Sequence, residues 1–338
     1  MNLKDNLLSA LSGEKVDITP VVSVTQLGTV EAMDKLGVFW PEAHKNSEDI
    51  LKLGASLYEY AGLECIRFPF DLTVEAEAMG AEINYGTKER PPEVSGITFE
   101  SSEDMDIPDD YLENGRIPVI IDAIELAKEK YGGEVPIIVG VCGPFTLAGH
   151  LLGVENLVRD MVTDSTSVED AMDICLDACM DYADLISETE VDVVCVAEPT
   201  ASPDLINPIQ FNSLIKGNLE DYAGNLDVAS VLHICGSTQP IVKDMASLGY
   251  DGISVEEKLP FDIAKKELEG VDNPSRLVGN VSTSATLFNG TTEQVKAEAK
   301  DALDKGADVL APSCGIAPLS PIDNIKSLVE ARNEYFKI

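Results

Sequence analysis

Eight short runs of β-branched and apolar residues recur along the chain, and amphipathic stretches of helical period lie between most of them. The runs are TPVVSVT (19–25), ECIRFPF (64–70), VPIIVGV (135–141), VDVVCVAEP (191–199), VASVLHIC (228–235), YDGISVEE (250–257), SRLVGNVS (275–282) and ADVLAPSC (307–314). VEDAMDICLDACMDYADLISE (168–188) and TEQVKAEAKDALDKG (292–306) are the clearest helical stretches. Eight parallel strands alternating with helices predict an α/β fold, a (β/α)8 TIM barrel. An amphipathic segment before the first run predicts an N-terminal helical extension, and PIDNIKSLVEARNEYF closes the chain as a last helix. An open doubly wound sheet would want a Gly-rich phosphate turn after an early strand, and no G-x-G-x-x-G occurs. Residues 71–134 are too many for one helix and its loops. The part from 81 to 116, rich in turns, Pro and acids, reads as an insertion beside the barrel mouth, shaped as a hairpin. The 338 residues then form a single barrel domain.

Sixty acidic residues oppose 24 basic ones, a formal charge of -36. Nucleic acid is an improbable partner, because phosphate needs a basic surface. The acids are spread along the whole chain, which reads as a solvated surface adapted to high salt. At molar salt the Debye length falls to about 3 Å, so the self-repulsion is screened. The melting temperature is therefore expected to rise clearly between dilute buffer and molar KCl. A flat or falling curve, followed by circular dichroism, would remove the halophilic reading. No run of about 18 apolar residues occurs, so no membrane span is expected. The N-terminus lacks a secretory signal pattern, and a cytoplasmic location is expected. Seven cysteines, an odd set, make disulfides a poor reading. Buried thiols, metal ligation or thiol chemistry remain.

The stretch VLHICGS (231–237) carries His233, one of three histidines, two residues before Cys235. Side chains in a strand alternate faces, so both point the same way. At the C-terminal end of a barrel strand that way can be the mouth, where barrel enzymes place their chemistry. The last run ends similarly, with Cys314 before Gly315. One His and two Cys at one rim make a borderline-soft ligand set of the kind zinc favours. A strand-end cysteine is more often plain core, and the second strand end is what lifts the metal above that reading. A fourth donor is near: SVEEK brings Glu256 or Glu257 to the same rim, and alternation lets only one face inward. Cys175 and Cys179 stand four apart on a helix and read as packing, as do Cys65 and Cys195 inside apolar strands. Cys142 could line the pocket. No physical role emerges for His44 beside Trp40 beyond shaping the mouth or meeting a partner.

The segments LLSALSGEKVDITPVVSV, CGPFTLAGHL, VLHICG and LAPSCGIAP resemble the uroporphyrinogen decarboxylase superfamily. Within it, SVTQLGTVEAMDKLGVFWPEAH, RFPFDLTVEAEAMGAEINYGTK, ASPDL and SVEEK are similar to the methylcobamide:coenzyme M methyltransferases, the methanol type especially. The resemblance covers essentially the whole chain. It implies zinc held by His233, Cys235 and Cys314. A further similarity to cobalamin-independent methionine synthase implies Glu256 as fourth ligand. The family's decarboxylases bind a tetrapyrrole with N-terminal arginines and use no zinc. Here the first Arg is Arg67, so the resemblance does not extend to decarboxylation.

The resemblance further implies transfer of a methyl group from a methylated corrinoid protein to the thiol of coenzyme M (2-mercaptoethanesulfonate), in methanogenesis from methanol. The four ligands would then also be the catalytic residues. For the sulfonate, two sites suggest themselves: the loop NVSTSATLFNG (280–290) with Ser282 and Thr283, since barrels hold anions near their last loops, and Arg67. The rival readings are a methylamine- or methylthiol-linked enzyme with the same zinc, and a zinc-binding protein without turnover.

Overall fold

The computed structural model describes residues 2–338. Its main sheet has seven parallel strands in the order β1, β4, β5, β6, β7, β8, β9. They are β1 (Ile66–Phe68), β4 (Ile137–Cys142), β5 (Val193–Ala197), β6 (Ala229–His233), β7 (Gly252–Ser254), β8 (Arg276–Val281) and β9 (Val309–Pro312). Each is one of the runs expected from sequence. The remaining run, residues 19–25, closes the sheet as a seam. Val22 N donates to Leu310 O at 3.1 Å, Leu310 N to Pro20 O at 3.0 Å, and Glu64 N to Val21 O at 2.8 Å. The seam is no regular strand, and the reason is local. Pro20 has no N–H to give, and Ser23 N turns to the Cys65 sulfur at 3.3 Å. A buried acid fastens it: Glu64 accepts from Val21 N (2.9 Å), and Arg332 of the last helix (Ile322–Phe336) reaches both Glu64 and Thr19 O.

Alternation along the strands sorts the apolar residues into two cores. Cys65, Ile138, Val193, Val231, Val278 and Val309 pack together inside the barrel. Their neighbours Ile66, Ile137, Val194, Leu232, Ile253 and Leu310 belong to the layer under the helices. The N-terminal helix (Leu3–Leu11) starts at Asn2, whose side chain accepts from Asp5 N, a typical N-cap. Its Leu7, Ala10 and Leu11 join the inner core and close the barrel floor. The expected insertion is an antiparallel hairpin of β2 (Ile83–Asn84) and β3 (Glu93–Val94). The long helix expected at 168–188 spans Ser165–Glu188, and that expected at 292–306 spans Thr292–Asp304. Among the described residues no helix is long and apolar enough to cross a membrane.

A buried ionic network ties the hairpin to the barrel. Arg116 grips Asp71, just past β1, with two bonds of 2.9 and 3.0 Å, and reaches Thr73 at 2.7 Å and Glu77 at 2.6 Å. Tyr85, at the end of β2, donates to Glu77. Burial alone would raise the Asp71 carboxyl; the Arg116 guanidinium, His44 and Thr73 together hold it well below the usual carboxylate range. His44 lies 3.7 Å from Asp71 and stacks on Trp40 with ring centroids 5.0 Å apart.

Candidate functional site

Inward-facing positions on β6 are Val231 and then His233, and the same alternation carries Cys235 to the rim. β6 and β7 are in register with His233 opposite Ser254, and the His233 Nδ1 lies 3.0 Å from Ser254 Oγ. The other ring nitrogen, Nε2, is buried and has no partner. Burial pushes the imidazole down to about 4, so it is neutral at pH 7. On β7 the inward positions are Gly252 and Ser254, which makes Glu256 the inward acid of the pair. Val255 between them is buried in the helix-side core. Cys314 follows β9 by two residues.

The two thiols feel one another and Glu256. Burial raises Cys235, and the Glu256 carboxylate adds to it. Burial lifts Cys314 to about 12, with Cys235 and then Glu256 as further causes. Both are half-buried free thiols, whereas the other five cysteines are fully buried. Among the described residues, no three His, Cys, Asp or Glu side chains are drawn together tightly enough to hold an ion as they stand. The residues nonetheless fit zinc in kind. An orphaned imidazole nitrogen, two neighbouring thiols and an inward carboxylate are the donors it takes. The Ser254 hydroxyl fixes the imidazole from behind, the outer contact a ligating histidine ordinarily has.

The expected sulfonate residues lie elsewhere than at the open rim. Arg67 is wholly buried in the barrel, where the missing side chain of Gly140 makes room for it; a Cβ there would lie 1.9 Å from its guanidinium. It donates to Val24 O at 3.2 Å and to Pro69 O, and forms no ion pair among the described residues. Burial lowers it to about 10, so it stays charged. Its charge reaches His233. Ser282 and Thr283 form no open turn. Ser282 caps a π-helical segment (Thr283–Phe288), its hydroxyl accepting from Ala285 N. The backbone N–H groups of Ser282 and Thr283 are spent on Glu298 (3.0 Å) and Ser313 (3.3 Å). Their amides are therefore not free for an anion.

Cys175 and Cys179 are packing, and Cys65 and Cys195 line the inner core. Cys142 is fully buried, its amide donating to Glu75 at 2.6 Å. A cavity of about 420 Å³ opens between the hairpin and the helix Pro144–Leu152, lined by Gln26, Thr73, Glu93 and His150. Gln26 also borders a smaller space of about 160 Å³ with Gly315 and Ile316, beside Cys314. Sequence reasoning missed Ser254, although it stands two before Glu256 and shares its face. It gave no role to Asp204 and Lys258, joined at 3.0 Å beside Glu256, although they stand in the ASPDL and SVEEK segments.

The comparisons with known proteins bear on the fold and the family. The family described as Uroporphyrinogen decarboxylase (URO-D) matches residues 2–335. The methylcobamide:CoM methyltransferase MtaA of Methanosarcina barkeri is 46% identical over 335 residues, 99% of this chain and 98% of the relative. The methylcobamide:CoM methyltransferase MtbA of Methanosarcina mazei is 36% identical over 336 residues, 98% of each. A solved structure of a methyltransferase from Methanosarcina mazei superposes with a TM-score of 0.96 at 46% identity, covering 99% of both chains. This chain thus belongs to the uroporphyrinogen decarboxylase family, on its methylcobamide:CoM methyltransferase branch.

Proposed function

We propose that this methyltransferase moves a methyl group from a methylated corrinoid protein to the thiol of coenzyme M, with zinc held by His233, Cys235, Cys314 and Glu256. The observation that carries the reading is the buried, unpartnered His233 Nε2 beside two half-buried thiols and an inward acid at one barrel mouth. The methanol-type donor rests on the resemblance of SVTQLGTVEAMDKLGVFWPEAH, RFPFDLTVEAEAMGAEINYGTK, ASPDL and SVEEK to the methanol-type enzymes.

Zinc, when bound there, would deprotonate an incoming thiol and leave its sulfur nucleophilic. The chain's own groups prepare the rest. Ligation through Nε2 would need the ring proton on Nδ1, where Ser254 Oγ stands 3.0 Å away to accept it. Burial keeps that ring neutral, as a ligand must be. Two thiolate ligands donate strongly, so little electron density is withdrawn from the substrate sulfur. Arg67 supplies a buried positive charge below His233, which offsets the negative charge of such a ligand set. Glu256, with the hardest donor atom of the four, would be the ligand a thiol could replace most readily. In the transfer, the sulfur takes the methyl group, the cobalt keeps the electron pair of the broken bond and becomes Co(I), and the thiol proton leaves to solvent.

The test is direct. Purified zinc-loaded protein, given methylcobalamin and 2-mercaptoethanesulfonate, is expected to convert the methylcobalamin spectrum to that of Co(I) and to yield the methyl thioether. With methylated corrinoid proteins as donors, the methanol-linked one is expected to give a kcat/KM at least about tenfold above the methylamine-linked one, roughly 1.4 kcal/mol of discrimination. No transfer by zinc-loaded protein to any thiol would sink the proposed reaction, and equal rates would sink the methanol assignment.

A further inference from the structure

The Glu256 carboxylate has one basic partner among the described residues. Lys258, two residues on in the same loop, places its Nζ 3.4 Å from Glu256 Oε2 and 3.0 Å from Asp204 Oδ2. The backbone around Glu256 is held from the other side, where Asn280 Nδ2 donates to Glu256 O at 3.2 Å and to Leu259 O at 2.9 Å. The loop is thus fixed while the carboxylate is tethered only by an ammonium.

Asp204 is fixed as well. Ser237 N, two past Cys235, donates to Asp204 Oδ1 at 3.4 Å. Between them Gly236 has φ +83°, and a Cβ there would stand 2.3 Å from Ser202 Oγ and 2.6 Å from Asp204 Oδ2. Only glycine lets the two loops meet this closely. The loop after β5, the loop bearing Cys235 and the loop bearing Glu256 therefore converge on Lys258.

We infer that Lys258 is a holding position for the Glu256 carboxylate: it receives the carboxylate when a thiol takes its place among the zinc ligands, and so sets how readily coenzyme M displaces it. The inference rests on the zinc reading above. Its logic is charge. A carboxylate turned away from the metal would otherwise sit among Asp204 and two thiolates. With Lys258 present it joins an ammonium already anchored by Asp204, so the displaced state is stabilised while the ligated state keeps the Lys258–Asp204 pair. Lys258 is a positioning residue here and does not touch the substrate.

The experiment measures thiol affinity of the zinc-loaded full chain by calorimetry, together with zinc content. Lys258→Met is expected to weaken binding of 2-mercaptoethanesulfonate about threefold, the size of effect a half-exposed ion pair carries. 2-Mercaptoethanol, which has the thiol and no sulfonate, is expected to weaken by the same ratio. Lys258→Arg is expected to restore most of the affinity. In a Glu256→Gln background, Lys258→Met is expected to change neither affinity. If the loss persists in that background, or appears only for the sulfonated thiol, Lys258 binds the sulfonate and the inference is overturned. Unchanged thiol affinity in Lys258→Met overturns it too. Wild-type protein without zinc would instead show that the zinc reading had failed.

Discussion

Cys235→Ala and Cys314→Ala are each expected to emerge from dialysis against a chelator with little zinc, while the parent keeps about one per chain. Loss of a group that merely orients a zinc ligand costs 10- to 100-fold in affinity, so loss of a thiolate ligand is expected to cost at least about a hundredfold. The protonation states add a second readout. In metal-free protein both thiols are raised by burial, Cys314 to about 12, and are protonated at pH 7. His233 is depressed to about 4 and has no proton to give. Zinc uptake should therefore release about two protons, and about one in either variant. Calorimetry in buffers of different ionisation enthalpy counts them. The sign follows: affinity should climb with pH, roughly a hundredfold per unit near neutrality for two protons released. Full zinc retention by both variants would refute the ligand assignment.

Arg116→Met is expected to be the most destabilising single change outside the site. Arg116 and Asp71 are 2% and 1% exposed, and the substitution leaves a buried carboxylate without its cation. Breaking such a pair costs about 3–5 kcal/mol. For a chain of this length that corresponds to a fall of roughly 4–7 °C in melting temperature. The pH dependence identifies the cause. Asp71 has a depressed pKa in the folded protein, so its contribution is present above the unfolded carboxylate value of about 4 and fades as pH falls through the lower folded value. The gap between parent and variant should thus narrow in acid. Adding Asp71→Asn to the variant should recover much of the loss. A variant that melts with the parent at pH 7 would show that Arg116 is not the needed partner.

Much of the barrel was legible because burial on both faces of a parallel strand demands unbroken apolar runs. All seven strands of the main sheet coincide with runs visible in the sequence, β4 ending one residue past its run, and the hairpin stood out as a stretch too long and too turn-rich for one connection. The seam was mistaken for an ordinary strand because periodicity cannot show which partners its amides find. At the site, alternation put His233 and Cys235 on one face and left Glu256 and Glu257 open, and the resemblance chose Glu256. Cys314 was offered because its run ends as the His233 run does; Cys235, Glu256 and Cys314 each lie two residues past the ends of β6, β7 and β9. Arg67 was offered for the sulfonate, and only packing against Gly140 shows that it is buried inside the barrel. Ser282 and Thr283 looked like an open turn because a π-helical segment has no pattern that sequence reading detects. Arg116 and Asp71 stand 45 residues apart, and no local rule links them.

The seam that joins Val21 to Leu310 also sets a timetable. The two residues are separated by nearly the whole chain, and Arg332, which fastens the seam to Glu64, comes later still. At ribosomal speeds of roughly 5–20 residues per second, the first segment waits about 15–60 s before its partner exists. Through that interval the nascent sheet carries two raw edges, β1 and then whichever strand was made last. Each offers unpaired backbone groups to neighbouring chains. The finished barrel has no such edges, so the danger of mispairing is confined to its synthesis and ends with the arrival of the last helix.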